Sequence, residues 1–232
     1  MYIDCHTHIL PGIDDGSKNE KESAQMLDQL ASQQIETVFA TPHFYSTEQD
    51  INSFLEHRQH AYEKIAGQSK IEIVLGAEVY FTRGINTAEE ISRLTIGNSC
   101  YILVEMPYAH FGTKEVEQIE DIYYNLGLIP VIAHLERCLS YTGNDIVEAL
   151  MMLPEVICQF NAQSIVERRT RKKTLRLMER APRMVLGSDC HNMTTRPSYY
   201  DQAMKILSTK LPADRVDLLY ETARQIREKT VH

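Results

Sequence analysis

No stretch of the 232 residues approaches the eighteen consecutive apolar positions that a membrane-spanning helix needs. The N-terminus lacks the basic and apolar regions of a secretory signal. Basic charge is scarce as well: 24 lysines and arginines stand against 32 acids, and the formal charge is −8. A protein that coats nucleic acid normally carries a basic face, so neither DNA nor RNA is expected as a main partner. Five cysteines, an odd number without regular spacing, fit reduced thiols rather than a disulfide framework. There is no linker, low-complexity tract or close internal repeat. These absences describe a cytoplasmic chain that does not span a membrane. Its length suits one domain with a substantial core and is too short for two ordinary ones, so residues 1–232 are expected to form a single domain.

What the chain does have is alternation. Short β-branched and aromatic runs at 2–5, 37–40, 71–75, 101–104, 129–133, 156–160 and 184–187 read as strands. Helical spacing separates them. The turn Asp14-Asp15-Gly16-Ser17 leads into a helix with Ala24, Leu27, Leu30 and Ala31 on one face, and Phe54, Leu55 and Tyr62 mark another over 51–65. Further helices are expected over 114–125, 145–153, 171–181, 199–209 and 214–229. Gly127 and Pro154 serve as stops. Seven strands alternating with helices imply parallel pairing, and at this length a closed or nearly closed α/β barrel is the best reading.

Potential metal ligands fall at the strand ends. Residues 1–8 read MYIDCHTH, so His6 and His8 project to the same side from the end of the first strand. His43 follows strand two, Glu78 strand three, Glu105 ends strand four, His134 ends strand five, and Asp189 and His191 follow strand seven. Asp14 and Asp15 lie in the first loop, and spacing alone leaves open which of them belongs to the set. In a parallel barrel these positions gather at one rim, where the active sites of such barrels sit. Each residue alone has an ordinary reading as a cap or satisfied polar group; six of seven strands delivering His, Asp or Glu to one end does not. One ion needs three or four protein ligands. Nine candidates point to two or three ions, and the borderline-hard donor mixture suits manganese, iron or zinc. Such a site carries net positive charge suited to an oxyanion. Arg137 and Arg196 are close enough in sequence to His134 and His191 to offer planar forks to phosphate.

These motifs resemble those of the polymerase and histidinol phosphatase (PHP) family: His6-x-His8, His43, Glu78, His134 and Asp189-x-His191 match in order. Within it the chain resembles the bacterial protein-tyrosine phosphatases of capsular and exopolysaccharide operons. That likeness rests on DDG at 14–16, GAEVY at 76–80, VIAHLER at 131–137, SDCHN at 188–192 and Arg196-Pro197, and it spans most of the chain. Glu105, where many PHP members have histidine, favours the narrower group. The resemblance implies a distorted seven-stranded (β/α)7 barrel. It implies one ion on His6, His8, Glu78 and Asp189, a second on Glu78, Glu105 and His134, and a third on Asp15, His43 and His191, manganese being the first choice. It implies phosphate contacts from Arg137 and Arg196, with His43 available to help the leaving group. The reaction is phosphomonoester hydrolysis by a metal-activated water, and the substrate a phosphotyrosine protein such as the tail of a membrane-associated tyrosine kinase in polysaccharide synthesis. The alternatives are a metabolite phosphatase, such as one acting on histidinol phosphate, and a non-catalytic metal-stabilised module.

Several features invite other readings. Cys190 and Arg196 match the Cys-x5-Arg spacing of thiol-dependent tyrosine phosphatases, but residues 191–195 contain none of the glycine that such a loop uses to turn its amides inward. Cys190 and Cys5 are therefore expected to be buried, reduced thiols. The basic run Arg168, Arg169, Arg171, Lys172, Lys173, Arg176 and Arg180 reads first as the solvated face of a helix, with an anionic partner as the other reading. His57 and His60 are expected to be exposed. His110, Tyr45, Tyr80 and Phe111 are candidates for the substrate mouth.

Overall fold

The structure, a computed structural model, describes residues 1–230. Its strands are β1 (Tyr2–Thr7), β2 (Ile35–Ala40), β3 (His43–Phe44), β4 (Glu72–Leu75), β5 (Glu78–Tyr80), β6 (Tyr101–Glu105), β7 (Ile129–Ile132), β8 (Ile157–Asn161) and β9 (Met184–Gly187). Every pairing is parallel. The runs are short and apolar because both faces of a parallel sheet are covered; β6, β8 and β9 are buried at every position.

Among the described residues nine strands stand where seven are expected, in sheets ordered β1-β2-β4 and β3-β5-β6-β7-β8-β9. The expected second and third strands are each broken. Pro42, which has no N–H for a ladder, separates β2 from β3, and Gly76-Ala77 separates β4 from β5. The two breaks lie side by side, so β2 pairs β4 in one sheet while β3 pairs β5 in the other. The sheets also meet at their other edges. Asp189 N–H donates to the His6 carbonyl at 2.8 Å, and His8 N–H to the Cys190 carbonyl at 3.0 Å.

Alternate residues converge on one inner cluster: Ile3 and Cys5, Phe39, Val74, Leu103, Val131, Ile157 and Val185. Helix α8 (Ala213–Glu228) contributes Ala223 and Ile226 to the same cluster. Following the inner rows toward the strand C-termini leads from Leu103 to Glu105 and from Ile157 to Gln159 and Asn161. β1 is the exception. Asp4 pairs with Val38 and Thr7 with Ala40, so β1 has one residue too many. That bulge re-aims the side chains beyond Cys5, and His6 and His8 turn inward.

The helices are α1 (Glu20–Ser32), α2 (Ile51–Glu63), α3 (Thr113–Leu126), α4 (Asn144–Met151), α5 (Ala162–Val166), α6 (Arg168–Arg180), α7 (Tyr200–Lys210) and α8. Asn19 and Asp50 side chains accept from the first-turn N–H groups of Glu22 and Ser53, fixing the starts of α1 and α2. The buried row of α1 is Ser23, Met26, Leu27 and Leu30. Ala24 is half-buried and Ala31 exposed, contrary to the face expected for them, because alanine has too little area to decide a helix's rotation. The basic helix begins at Arg168 rather than Arg171. Arg171 turns back to donate to the Ile165 and Val166 carbonyls, while Arg168, Arg169, Lys172, Lys173, Arg176 and Arg180 are exposed. His57 and His60 are exposed as expected. Among the described residues no helix is long and apolar enough to cross a membrane.

Candidate metal centre

All nine expected ligand residues come together in one cluster, to which β1 brings His6, β6 brings Glu105 at its end, and the short strands β3 and β5 bring His43 and Glu78 at their starts. His6 Nε2 lies 3.1 Å from Glu78 Oε2 and 3.7 Å from Asp189 Oδ1, and His8 Nε2 lies 3.3 and 3.4 Å from the same atoms. His43 Nδ1 is 3.0 Å from Glu78 Oε2 and its Nε2 is 3.4 Å from Asp15. His134 Nε2 is 3.0 Å from Glu78 and 3.2 Å from Glu105. His191 Nε2 is 3.3 Å from Asp15. Three compact groups could each hold an ion: His6, His8 and Asp189; His43, Glu78 and Glu105; and His8, Asp15, His43 and His191. The groupings differ in detail from those that the resemblance implies. Glu78 falls outside the first group, His43 takes the place of His134 in the second, and His8 joins the third.

Asp14 and Asp15 separate by role. Asp14 Oδ2 accepts from His8 Nδ1 at 2.7 Å and from the His43 N–H at 3.0 Å, which aims His8 Nε2 inward. Asp15 faces the cavity with its side chain 64 % exposed. Gly16 is required here: a Cβ would come within 2.3 Å of the His8 carbonyl oxygen. His134 and Asp189 have φ of 32° and 52°, strained values for non-glycine residues, and each directs its side chain into the cluster.

Charge in this centre is held by mutual compensation. Burial would push Glu78 and Asp189 up, but His6 and its neighbours hold both well below the usual carboxylate range. Burial opposes charge on His134, yet Glu105 and Glu78 raise it to about 9, while burial and charged His8 lower His191 to about 2. Among the described residues of this centre four buried atoms make no well-aligned hydrogen bond, although two of them, His43 Nδ1 and Glu78 Oε2, lie 3.0 Å apart; the others are His191 Nε2 and Glu105 Oε2. Leaving such atoms unpaired is costly. Imidazole nitrogens and carboxylate oxygens orphaned in one place fit divalent cations of borderline-hard character. Ligation would satisfy them and displace the shared protons.

The two arginines converge on the same centre. Arg137, in a 3₁₀ turn over Leu135–Ser140, donates to Asp189 Oδ2 at 2.7 Å. Arg196 donates to that oxygen at 2.9 Å and lies 3.6 Å from Asp15. Asn192 Oδ1 accepts the N–H groups of Thr194, Thr195 and Arg196, folding the turn that brings Arg196 back. A cavity of about 380 Å³ opens above, lined by both arginines, Asp15, His43, Glu78, Glu105, His134, Asp189 and the rings of Tyr45 and Tyr108.

Sequence reasoning missed three supports. Gln159 Oε1 lies 3.0 Å from His6 Nδ1 and accepts the His134 N–H at 2.7 Å. Asn161 Nδ2 donates to Asp189 Oδ2 at 2.8 Å, and Asp4 Oδ1 accepts the Ser188 N–H at 2.8 Å. The signal existed, since Gln159 and Asn161 alternate with apolar residues on the one strand without an assigned ligand. Tyr108 was missed because it lies in an irregular loop. Of the other mouth candidates, Tyr80 lies behind Tyr45 with its ring tilted against it, His110 is exposed away from the cavity lining, and Phe111 is core, 2 % exposed.

Cys190 does not line the cavity and is 2 % exposed. Burial, with the nearby Asp4 carboxylate, pushes its thiol up to about 12, the wrong direction for a thiolate nucleophile. Cys190→Ser should therefore keep kcat/KM within about threefold of the parent enzyme, since the thiol takes no part in the chemistry. Steady-state kinetics check it; a dead, folded variant would restore the thiol mechanism.

The family model for capsular polysaccharide synthesis proteins, CpsB/CapC, matches residues 2–227. The chain belongs to this family. Among curated CpsB/CapC relatives, the tyrosine-protein phosphatase CpsB of Streptococcus pneumoniae is 29 % identical, with 97 % of each chain covered. The tyrosine-protein phosphatase YwqE of Bacillus subtilis is 26 % identical over 99 % of this chain and 93 % of its own. A crystal structure from a study of YwqE and CpsB, described there as unique metal-dependent tyrosine phosphatases, superposes with a TM-score of 0.82 at 25 % identity, covering 99 % of this chain and 96 % of the other. An α/β fold of parallel sheets and helices is thus common to this CpsB/CapC chain and its solved relatives.

Proposed function

We propose that this protein is a metal-dependent protein-tyrosine phosphatase that dephosphorylates a tyrosine kinase of capsular or exopolysaccharide synthesis. The observation that carries the reading is the placement of three overlapping ligand groups beside two arginines in one cavity. Relatives over the full chain are tyrosine-protein phosphatases, which supports it. In this reading residues 1–232 are one domain, a distorted barrel of seven strand positions in which β3 continues β2 and β5 continues β4. The protein works in the cytoplasm on the tail of a membrane-associated kinase.

Two or three divalent ions, manganese first, would be held by His6, His8, Asp15, His43, Glu78, Glu105, His134, Asp189 and His191, and bound there they would supply Lewis acidity and a water acidified toward neutrality. The chain's own residues do the rest. Arg137 and Arg196 leave Asp189 for the phosphate and stabilise charge on its equatorial oxygens. Asp14 and Gln159 hold the His8 and His6 rings so that their inward nitrogens do not turn away. A phenolate, whose conjugate acid has a pKa of about 10, leaves with little help. His43, the most exposed imidazole of the cluster, is the residue we assign to provide that help, through the ring nitrogen it does not lend to an ion.

The test is a comparison of kcat/KM on a phosphotyrosine peptide, a phosphoserine peptide and histidinol phosphate, before chelation, after it, and after manganese is returned. Chelation should abolish activity, manganese should restore it, and phosphotyrosine should be the preferred substrate. A clear preference for histidinol phosphate would replace this reading with a metabolite phosphatase, and activity that survives full chelation would remove the metal mechanism.

A further inference from the structure

The cavity has a wall whose purpose the phosphate chemistry does not explain. Every other side chain around it is a carboxylate, an imidazole or a guanidinium; Tyr45 and Tyr108 alone offer aromatic faces without charge. They differ in circumstance. Tyr45 is half-buried, with its ring 5.4 Å from both His43 and Tyr80. Tyr108 is 46 % exposed, one of the few large apolar groups left open to solvent. Tyr141, 37 % exposed, lies beside it, so the two rings make a small open aromatic surface at the lip of the charged site.

The Tyr108 ring is nevertheless firmly held. It stacks on His134 at 6.2 Å and 18°, and Tyr141 braces it at 5.5 Å. Its hydroxyl donates to Glu105. The backbone behind it is tied as well: Thr142 Oγ1 donates to the Phe111 carbonyl at 2.6 Å, joining the Tyr108 loop to the segment that carries Arg137 and Tyr141. The hydroxyl bond fixes the inner edge of the ring over Glu105, and the outer part remains open. Such a ring is pre-organised, so little ordering entropy is lost when another ring packs on it.

We propose that Tyr108 determines specificity at this site: its ring is the wall against which the phenyl ring of the substrate lies while Arg137 and Arg196 hold the phosphate. This rests on the tyrosine-phosphatase reading and extends it. An alkyl phosphate brings no ring to the wall and gains nothing from it. Aromatic pairs contribute enough beyond their buried area to account for about tenfold in binding.

The experiment uses the metal-loaded protein, Tyr108→Ala, Tyr108→Phe, and two competitive inhibitors, benzylphosphonate and methylphosphonate. Tyr108→Ala should raise KM for a phosphotyrosine peptide and Ki for benzylphosphonate about tenfold, with kcat and the methylphosphonate Ki nearly unchanged. Tyr108→Phe keeps the ring and should keep both aryl constants. Equal weakening of both phosphonates, or no weakening of either, overturns the proposal. So does loss of bound metal and kcat in both variants, which would make Tyr108 a support for Glu105 alone. The functional reading is judged separately. A parent enzyme without preference for aryl esters ends that reading, whereas a parent with the preference and an alanine variant that keeps it ends only this inference.

Discussion

Glu78→Gln should empty the metal centre and cost on the order of 10³-fold in kcat/KM or more. The substitution keeps the side chain's size and removes its charge. Three imidazole nitrogens, from His6, His8 and His43, lie within 3.3 Å of Glu78 Oε2, and His134 lies 3.0 Å from Oε1. No other carboxylate touches so many of the ligands. Removing even an outer partner of a metal ligand typically costs 10- to 100-fold in affinity, so a carboxylate at the centre of the cluster should cost more. Elemental analysis of the purified variant, alongside its kinetics, decides the matter. Full metal content with near-parent activity would mean that Glu78 is a structural ion-pair partner and not a shared ligand.

Arg137→Ala and Arg196→Ala should behave differently. Each should keep its metal and lose about 10²-fold or more in kcat/KM, because an oriented donor to the transferring phosphate is gone. Asp189 should survive either loss in place, since it retains the other arginine and Asn161. Lysine at either position should rescue poorly, for it lacks the planar fork that two phosphate oxygens require. The double variant should lose less than the product of the single effects if the two arginines act as one clamp. Complete metal loss in either single variant would assign that arginine to building the centre rather than to holding phosphate.

The candidate ligand residues are legible in the sequence because their placement is tied to topology. A run such as VIAH at 131–134 carries an apolar strand and its terminal ligand in one string, and parallel pairing gathers such ends together. What the string could not carry was the local geometry. Alternation alone places Cys5 and His6 on opposite faces, and only the bulge in β1 lets both turn inward. Spacing alone does not distinguish Asp14 from Asp15, which only the resemblance singles out; the Gly16 turn separates them by pressing Asp14 against His8. The doubled strands at Pro42 and Gly76 arise where two neighbouring strands break together, and a reading along the sequence cannot see which strand lies beside which. Likewise Phe111 and Tyr108 sit three residues apart in one loop, one buried and the other open, with no period to tell them apart.

Asp189 divides its two oxygens between the site's two tasks. Oδ1 faces His6 and His8, and Oδ2 takes Arg137, Arg196 and Asn161. Charge drawn to one oxygen weakens the hold of the other. A cation seated among the histidines would loosen both arginines for an anion, and an anion that takes the arginines would leave Asp189 freer for the cation. By thermodynamic reciprocity the two factors are equal. The shared carboxylate thus makes metal and phosphate heterotropic partners: product phosphate should tighten the metal by the same ratio that metal tightens phosphate.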